Sequence, residues 1–497
     1  KKMIFMTSDD TIIFDHKYNQ RLHIKLISNY TNLIFSNYAL DEKIFQHYAN
    51  NNFDGLERIG SEFNQNVSNL PSTITHLTFG ELFNRDVSRL PLSLTHLTFG
   101  TYFDQDVSTL PLSLTHLTFG DFFTQNVSTL PPSLIHLTFG FYFNQDVSFL
   151  PLFLTNLTFG TRFNRDVSVL PSFLTHLIFG NDFNQDVSVL PPTLTHLTFG
   201  CNFNQDVSVL PPTLTHLTFG EKFNEDVSNL PHSLTHLTFG LKFNQDVSNL
   251  PHNLKHLTFG LKFNQDVSAL PSSLTHLIFG KYFNQDVKSL PPFITHLTFG
   301  EYFNQGIFTL PPSLTHLIFG KYFNQDVKSL PPFITHLTFG EYFNQDIFTL
   351  PPSLTHLTFG AYLNRDLSVL PPSLTHLTFS SNFNQECNIP SSIKYLNLNC
   401  NNQYIINSLP NSIDELILES LFHLQMDNLP TSIKKLIILN PDYDKELNCL
   451  PAFIEELHLN TKYKKRILNI PPNLKKLICH KNYAYKKDFS KCIIETY

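Results

Sequence analysis

The chain has 497 residues, 34 basic and 41 acidic, for a net charge of −7, and only 15% of its residues are charged. This balance provides no basic surface for a phosphate backbone, and no run of ~18 apolar residues could cross a membrane as a helix, so neither nucleic acid nor a membrane is expected as a partner. Forty-nine Phe against no Trp, with 31 Pro and 18 Gly, is the composition of a copied unit, not of the three mixed globular domains that the length alone suggests.

Residues 1–60 stand outside the copying. Lys1-Lys2-Met3-Ile4-Phe5 is basic and briefly apolar, but Asp9 and Asp10 arrive too soon for a secretory core segment. The start at Lys1-Lys2 suggests further sequence upstream. Leu22, Ile24 and Leu26 alternate like a short strand. Ile44, Phe45 and Tyr48 fall at helical spacing between Asp41 and Gly55, and Leu56 to Gly60 resembles a decayed strand motif. The stretch is expected to form an N-terminal cap, because the end of a stacked array must cover its own core.

Residues 61–380 recur every twenty positions, the signature of a repeat solenoid. In the copy beginning at Phe183, Phe183-Asn184-Gln185-Asp186-Val187-Ser188 leads through Leu190-Pro191 to Leu194-Thr195-His196-Leu197-Thr198-Phe199-Gly200. The last segment has the L-x-x-L-x-L spacing of a leucine-rich repeat. Alternation turns Leu197 and Phe199 inward and His196 and Thr198 outward. Gly200 supplies either a positive φ or a close backbone approach at the strand exit. Leu190-Pro191 makes an extended corner, and Asp186-Val187-Ser188 suits a turn or one turn of 3₁₀ helix. One copy cannot bury its apolar side chains alone; stacked copies can. Phe183, Leu197, Phe199, Phe203, Leu217 and Phe219 are therefore expected to run through the core as ladders. The resulting fold class is a leucine-rich-repeat-like solenoid with a parallel sheet on the concave face and turns on the convex one. About 21 strands are expected: sixteen regular ones, and five in the degenerate copies of residues 381–480 that open at Ile393, Ile413, Ile433, Ile454 and Leu474. Residues 481–497 close the chain as a cap or tail.

The recurrent Phe-Asn-Gln, as in Phe183-Asn184-Gln185 and Phe203-Asn204-Gln205, followed by Leu-Pro-x-x-Leu-x-x-Leu, resembles the FNIP repeat, a leucine-rich-repeat relative of social amoebae and giant amoebal viruses. The resemblance covers about 430 residues. It implies a leucine-rich-repeat-like solenoid and a protein-interaction role, and supplies no catalytic residue or ligand. Many relatives carry an F-box or kinase region before the repeats, so a decayed or truncated F-box in residues 1–60 is the alternative to a plain cap. The Leu-Pro spacing also resembles the repeats of bacterial effector ubiquitin ligases. Their large cysteine-centred catalytic domain has no counterpart in the few residues after Cys479. Asn204 lies five residues after Phe199, where the ladder Asn of ordinary leucine-rich repeats lies three after the last strand Leu. It is expected to bond to neighbouring backbone in an altered geometry.

Six cysteines without CxxC spacing read as free thiols in a reducing compartment. The last 37 residues hold ten basic residues against Asp488 and Glu495, expected to be a solvated capping face. His occupies fifteen of sixteen equivalent strand positions between His76 and His376, with Asn156 in the other. Imidazoles ~5 Å apart invite a metal reading. A metal site, however, needs mixed, closed ligands, and this column is uniform and open, so a polar ladder is expected instead. Stacked imidazolium charges would repel, so depressed His pKa values are expected. Asp106, Asp146 and Asp186 mark a column of solvated turn carboxylates. Ser, His and Asp recur in every copy, and a residue present in fifteen copies is not placed for one reaction.

The expected function is a non-enzymatic protein–protein interaction scaffold without cofactor or metal, a monomer in the cytoplasm (of a host cell, if viral), with unknown protein partners, host proteins among the candidates. The candidate binding face comprises His176, His196, His216, His236 and His256 with Thr198, Thr218, Thr238 and Thr258; at position 178 the chain carries Ile178 where the period calls for Thr. Pairs between Gly and Phe, among them Glu81-Leu82, Thr161-Arg162, Cys201-Asn202 and Lys281-Tyr282, vary from copy to copy and are expected to tune specificity. The alternative is a substrate-recognition subunit of a ubiquitin ligase, which needs the F-box.

Overall fold

The computed structural model of the chain describes residues 5–50, 56–347, 349–367, 369–419 and 425–497. It divides into two compact units, Lys1–Leu254 and Lys255–Tyr497.

In the first unit, β1 (Phe5–Thr7) runs antiparallel to β2 (Thr11–Phe14), and every later strand is parallel to its neighbour. After α1 (Ile24–Ile27), β3 (Asn32–Phe35) and α2 (Glu42–Asn50), nine three-residue strands succeed one another at twenty-residue steps, β4 (His76–Thr78) to β12 (His236–Thr238). The register places like on like, His196 beside His216 and Leu197 beside Leu217. Each strand is short because Leu194 N–H bonds to Pro191 O on one side (3.2 Å) and Phe203 N–H to Gly200 O on the other (3.4 Å). These are single turns closing the corners of the coil.

The core is two columns of Phe. Phe199 and Phe203 stack at 3.7 Å within a copy, Phe199 meets Phe219 at 5.7 Å, and Phe203 meets Phe223 at 6.1 Å, with ring planes within 8°. Phe183, Leu197, Phe199, Phe203, Leu217 and Phe219 are each at most 2% exposed, and Leu194 is fully buried. The nearly parallel neighbours along each column, 5.7 and 6.1 Å apart, are offset stacks that add to the free energy of burial.

Gly200 is required by close approach alone; among the described glycines only Gly60 has a positive φ (+90°). A Cβ built on Gly200 would lie 2.1 Å from Gly180 O and 2.4 Å from its carbonyl carbon. Asn204 bonds the coils together just beyond Phe203. Its N–H donates to Asn184 Oδ1 (2.8 Å), and its own Oδ1 accepts from Asn224 N–H (2.7 Å). A side-chain amide thus satisfies backbone that no ladder reaches.

The N-terminal stretch departs from expectation. Leu22, Ile24 and Leu26 do not form a strand: Ile24–Ile27 is a helical turn in which only Ile27 is buried. Leu56 to Gly60 is not a strand either. The strand positions belong to β2 and β3, which pair in register with each other, β3 pairing in turn with β4. Phe14 and Tyr18 meet at 4.3 Å, with planes tilted 36°, where Phe79 and Phe83 stack at 3.6 Å, and Phe35 stacks on Phe63 at 3.7 Å. These are two further copies of the ring pair, the second interrupted by the excursion that carries α2. The side chain of Phe45 and residues 51–55 lie outside the described residues.

The second unit runs β13 (His256–Thr258) to β18 (His356–Thr358) at the same step, then β19 (His376–Phe379), β20 (Tyr395–Leu398), β21 (Glu415–Leu418), β22 (Lys435–Ile438), β23 (Glu456–His458), β24 (Lys476–Cys479) and β25 (Ile493–Thr496). α3 (Gln403–Asn407) lies between β20 and β21, and a 3₁₀ turn, Lys486–Phe489, precedes β25. Among the described residues there are thus 25 strands in place of 21, the additions being β1, β2, β3 and β25. In the degenerate copies Tyr443, Tyr463 and Tyr483 take over the second Phe column. All six cysteines are free thiols.

Candidate binding face

On each regular strand Leu is buried between two half-buried or exposed residues. The outward face therefore carries two columns, one of His and one mainly of Thr. In the first unit His176, His196, His216 and His236 form one stack with centroids 4.2, 4.2 and 4.1 Å apart and ring planes within 11°. Thr198, Thr218 and Thr238 run beside it, joined by Ile178, which is 44% exposed. In the second unit His256 and Thr258 open an equivalent pair of columns, His256 stacking on His276 at 4.2 Å.

The preceding Thr orients most of the rings, Ile135 and Lys255 standing in that place before His136 and His256. Thr215 Oγ1 lies 2.9 Å from His216 Nδ1 and 3.1 Å from Thr195 O. Where Asn156 interrupts the stack, Thr155 Oγ1 donates to Asn156 Oδ1 at 2.8 Å. Burial holds His196 and His216 below the ordinary imidazole pKa, and charge on neighbouring rings adds to this. His96 is lowered furthest, to about 4. Mutual repulsion is therefore the secondary cause and burial the larger one. Rings stacked face to face hold their nitrogen lone pairs side by side. Ligands of one metal ion must converge on a point, so this geometry opposes chelation.

The corner away from this face is acidic. Ser188 N–H and Oγ–H both donate to Asp186 at 2.9 Å, and these bonds hold the exposed carboxylate below its usual range. The variable pairs lie just past each strand. Tyr282, Tyr302, Tyr322, Tyr342 and Tyr362 stack there at 4.8–5.2 Å, beside Lys281–Glu301 (2.9 Å) and Lys321–Glu341 (3.0 Å) ion pairs. At the basic end, Lys462, Arg466, Lys475 and Lys476 have carboxylate partners.

Sequence reasoning missed the outward residues beyond His376. The column changes there to Tyr395, Glu415, Lys435, Glu456 and Lys476 in register. The signal is present in the degenerate motifs, in the residue just before each conserved strand Leu.

Twenty-residue coils, a parallel strand in each and an Asn column at the turn define a leucine-rich-repeat-like β-solenoid, a class typical of protein–protein interaction scaffolds. The model of the FNIP Repeat matches in successive windows from residue 83 to residue 420, more than half of the sequence, and the chain belongs to the FNIP repeat family. Among solved structures it is similar to CroV588 of a giant virus, described as "a novel circular LRR protein structure". The two are 32% identical over 100% of both chains, with a TM-score of 0.71. It is also similar in fold to the chain of the TLR13–ssRNA13 complex, 16% identical over 98% of this chain and 81% of that one, with a TM-score of 0.58. No curated protein sequence matches the chain. No helix among the described residues is long and apolar enough to cross a membrane.

Proposed function

We propose that the chain is a non-enzymatic scaffold that recognises protein partners through the His/Thr face of its sheet, the variable Gly–Phe edge tuning selectivity. The carrying observation is the His stack itself: a regular row of half-buried rings, most of them oriented by a Thr hydroxyl, in which no copy is singled out for chemistry. A repeated face of this kind provides extended contact area. In this reading residues 1–60 are the N-terminal cap, 61–380 the regular array, 381–480 degenerate copies and 481–497 the closing tail. The stacking of Phe14, Tyr18, Phe35 and Phe63 onto the first regular copies supports a cap over an F-box.

The test is affinity capture with paired variants. A partner held by the parent chain is expected to be lost from His216→Asp/Thr218→Arg and retained by Asp206→Asn, which alters the acidic corner. Loss from the corner variant alone would overturn the assignment of the face.

A further inference from the structure

The regular face ends at one place within the second unit, and the chemistry there differs from every copy before it. Tyr395 stacks on the last imidazole, His376, at 4.2 Å with ring planes 14° apart, and it is 44% exposed. Beyond it the column is a row of alternating charges. Glu456 has cations on both sides, Lys435 and Lys476, and accepts a 2.6 Å hydrogen bond from His458. Lys476 likewise bridges Glu456 and Glu495. Glu415, the first member, pairs with one cation among the described residues, Lys435 at 3.3 Å, and on its other side the register places the Tyr395 ring. The alternation is one positive charge short at this end. A hollow of about 260 Å³ lies at that position, lined by His376, Thr378, Tyr395, Asn397, Glu415 and Ile417 among others, and Glu415 is the one charged side chain in its lining.

We propose that this hollow binds a guanidinium side chain, an arginine of a protein partner. The inference rests on the reading of the His/Thr face as the partner-binding surface and names the chemistry of one contact on it. A planar cation laid on Tyr395 continues the stack of flat rings that reaches it from His376, and an aromatic face attracts such a cation. The carboxylate of Glu415 offers an acceptor beyond the one engaged by Lys435, and a guanidinium fork matches carboxylate geometry better than an ammonium does. Thr378 places a hydroxyl acceptor at the rim. An anionic or apolar side chain would leave Glu415 under-compensated.

The probe is N-acetyl-arginine methylamide added to the full chain and read by saturation-transfer NMR, with its neutral isostere N-acetyl-citrulline methylamide alongside. Arginine is expected to receive transfer at least tenfold more strongly than citrulline. The arginine signal is expected to fall at least tenfold in Glu415→Gln and in Tyr395→Leu, and to persist in Glu455→Gln, whose carboxylate pairs with Lys475 outside the hollow. Circular dichroism checks that each variant folds; Tyr395→Leu, at an exposed position, keeps the test available if Glu415→Gln does not. Equal transfer to arginine and citrulline, or an arginine signal unchanged in the folded variants, overturns the proposal. A captured partner that still needs His216 when the arginine probe fails removes this pocket and leaves the face; the reverse removes the face.

Discussion

Replacing Gly200 by Ala adds one carbon at the tightest point of the coil. That carbon would lie 2.1 Å from Gly180 O, 2.4 Å from Gly180 C and 2.7 Å from Asn181 Cα, all backbone atoms that no rotamer change can move. The two coils must therefore separate. Where Ser380 occupies the glycine position, in a copy that also carries Leu363 in the second Phe column, the ring ladder is disturbed: the Phe359–Phe379 spacing is 6.5 Å with planes tilted 34°, against 5.7 Å and 7° between regular neighbours such as Phe299 and Phe319. Within that copy Phe379–Phe383 opens to 5.0 Å from the usual 3.7 Å. Overpacking of this kind costs about 1–3 kcal/mol, and relief blocked by backbone puts Gly200→Ala at about 3 kcal/mol. Urea denaturation followed by circular dichroism should show a lower midpoint with the loss centred on the copies around Gly200, since repeat arrays lose stability through nearest-neighbour interfaces. A stability within ~0.5 kcal/mol of the parent, the range of an ordinary surface substitution, would refute the close-approach account of the glycine column.

Phe203→Ala removes a fully buried ring from the core ladder and should cost about 3–5 kcal/mol in the same assay. Asn204→Ala deprives Asn224 N–H of its acceptor and should cost about 1–3 kcal/mol, with faster amide exchange at Asn224. Tyr443 carries a buried hydroxyl without a partner among the described residues, whereas Tyr483 OH donates to Lys465 O at 2.9 Å. Tyr443→Phe should therefore be neutral or slightly stabilising in thermal melts, and Tyr483→Phe destabilising by about 1 kcal/mol. The folded pKa values of His116, His196, His216, His336 and His356 lie below the unfolded value near 6.5, and that of His96 falls to about 4. Stability from this source is complete above pH 6.5 and is lost as pH falls from 6.5 toward 4, because the unfolded chain binds the protons first. Tm should decline across that window, before the lowered Asp carboxylates titrate; a flat Tm from about pH 7.5 to 5 argues against the stacked-imidazole account.

The regular coils were legible because all their determinants lie within twenty residues: Pro at the corner, Leu and Phe at alternating positions, Gly at the exit. What one coil does to the next was less so. Whether Gly200 served a positive φ or a close approach depends on Gly180, a neighbour only in space. The strands Thr11–Phe14 and Asn32–Phe35 were missed for a related reason. Tyr18 stands in for Phe in the first ring pair, and the α2 excursion separates Phe35 from Phe63 in the second. Alternation at Leu22, Ile24 and Leu26 suggested a strand because period alone does not show which segment the sheet accepts. The His column was visible at once, but its Thr hydroxyl partners and the dominance of burial over repulsion required the strand geometry. The Tyr395–Glu415 end of the face was overlooked because outward positions in degenerate copies carry no period.

The central claim is that partners engage the His/Thr face, and histidine-selective acylation of the chain with and without a captured partner tests it most directly. The account predicts that the reagent modifies His196, His216 and His236 in the free chain and that the partner protects them. Unchanged modification of these rings in the complex, with protection confined to the variable edge or the acidic corner, would contradict it.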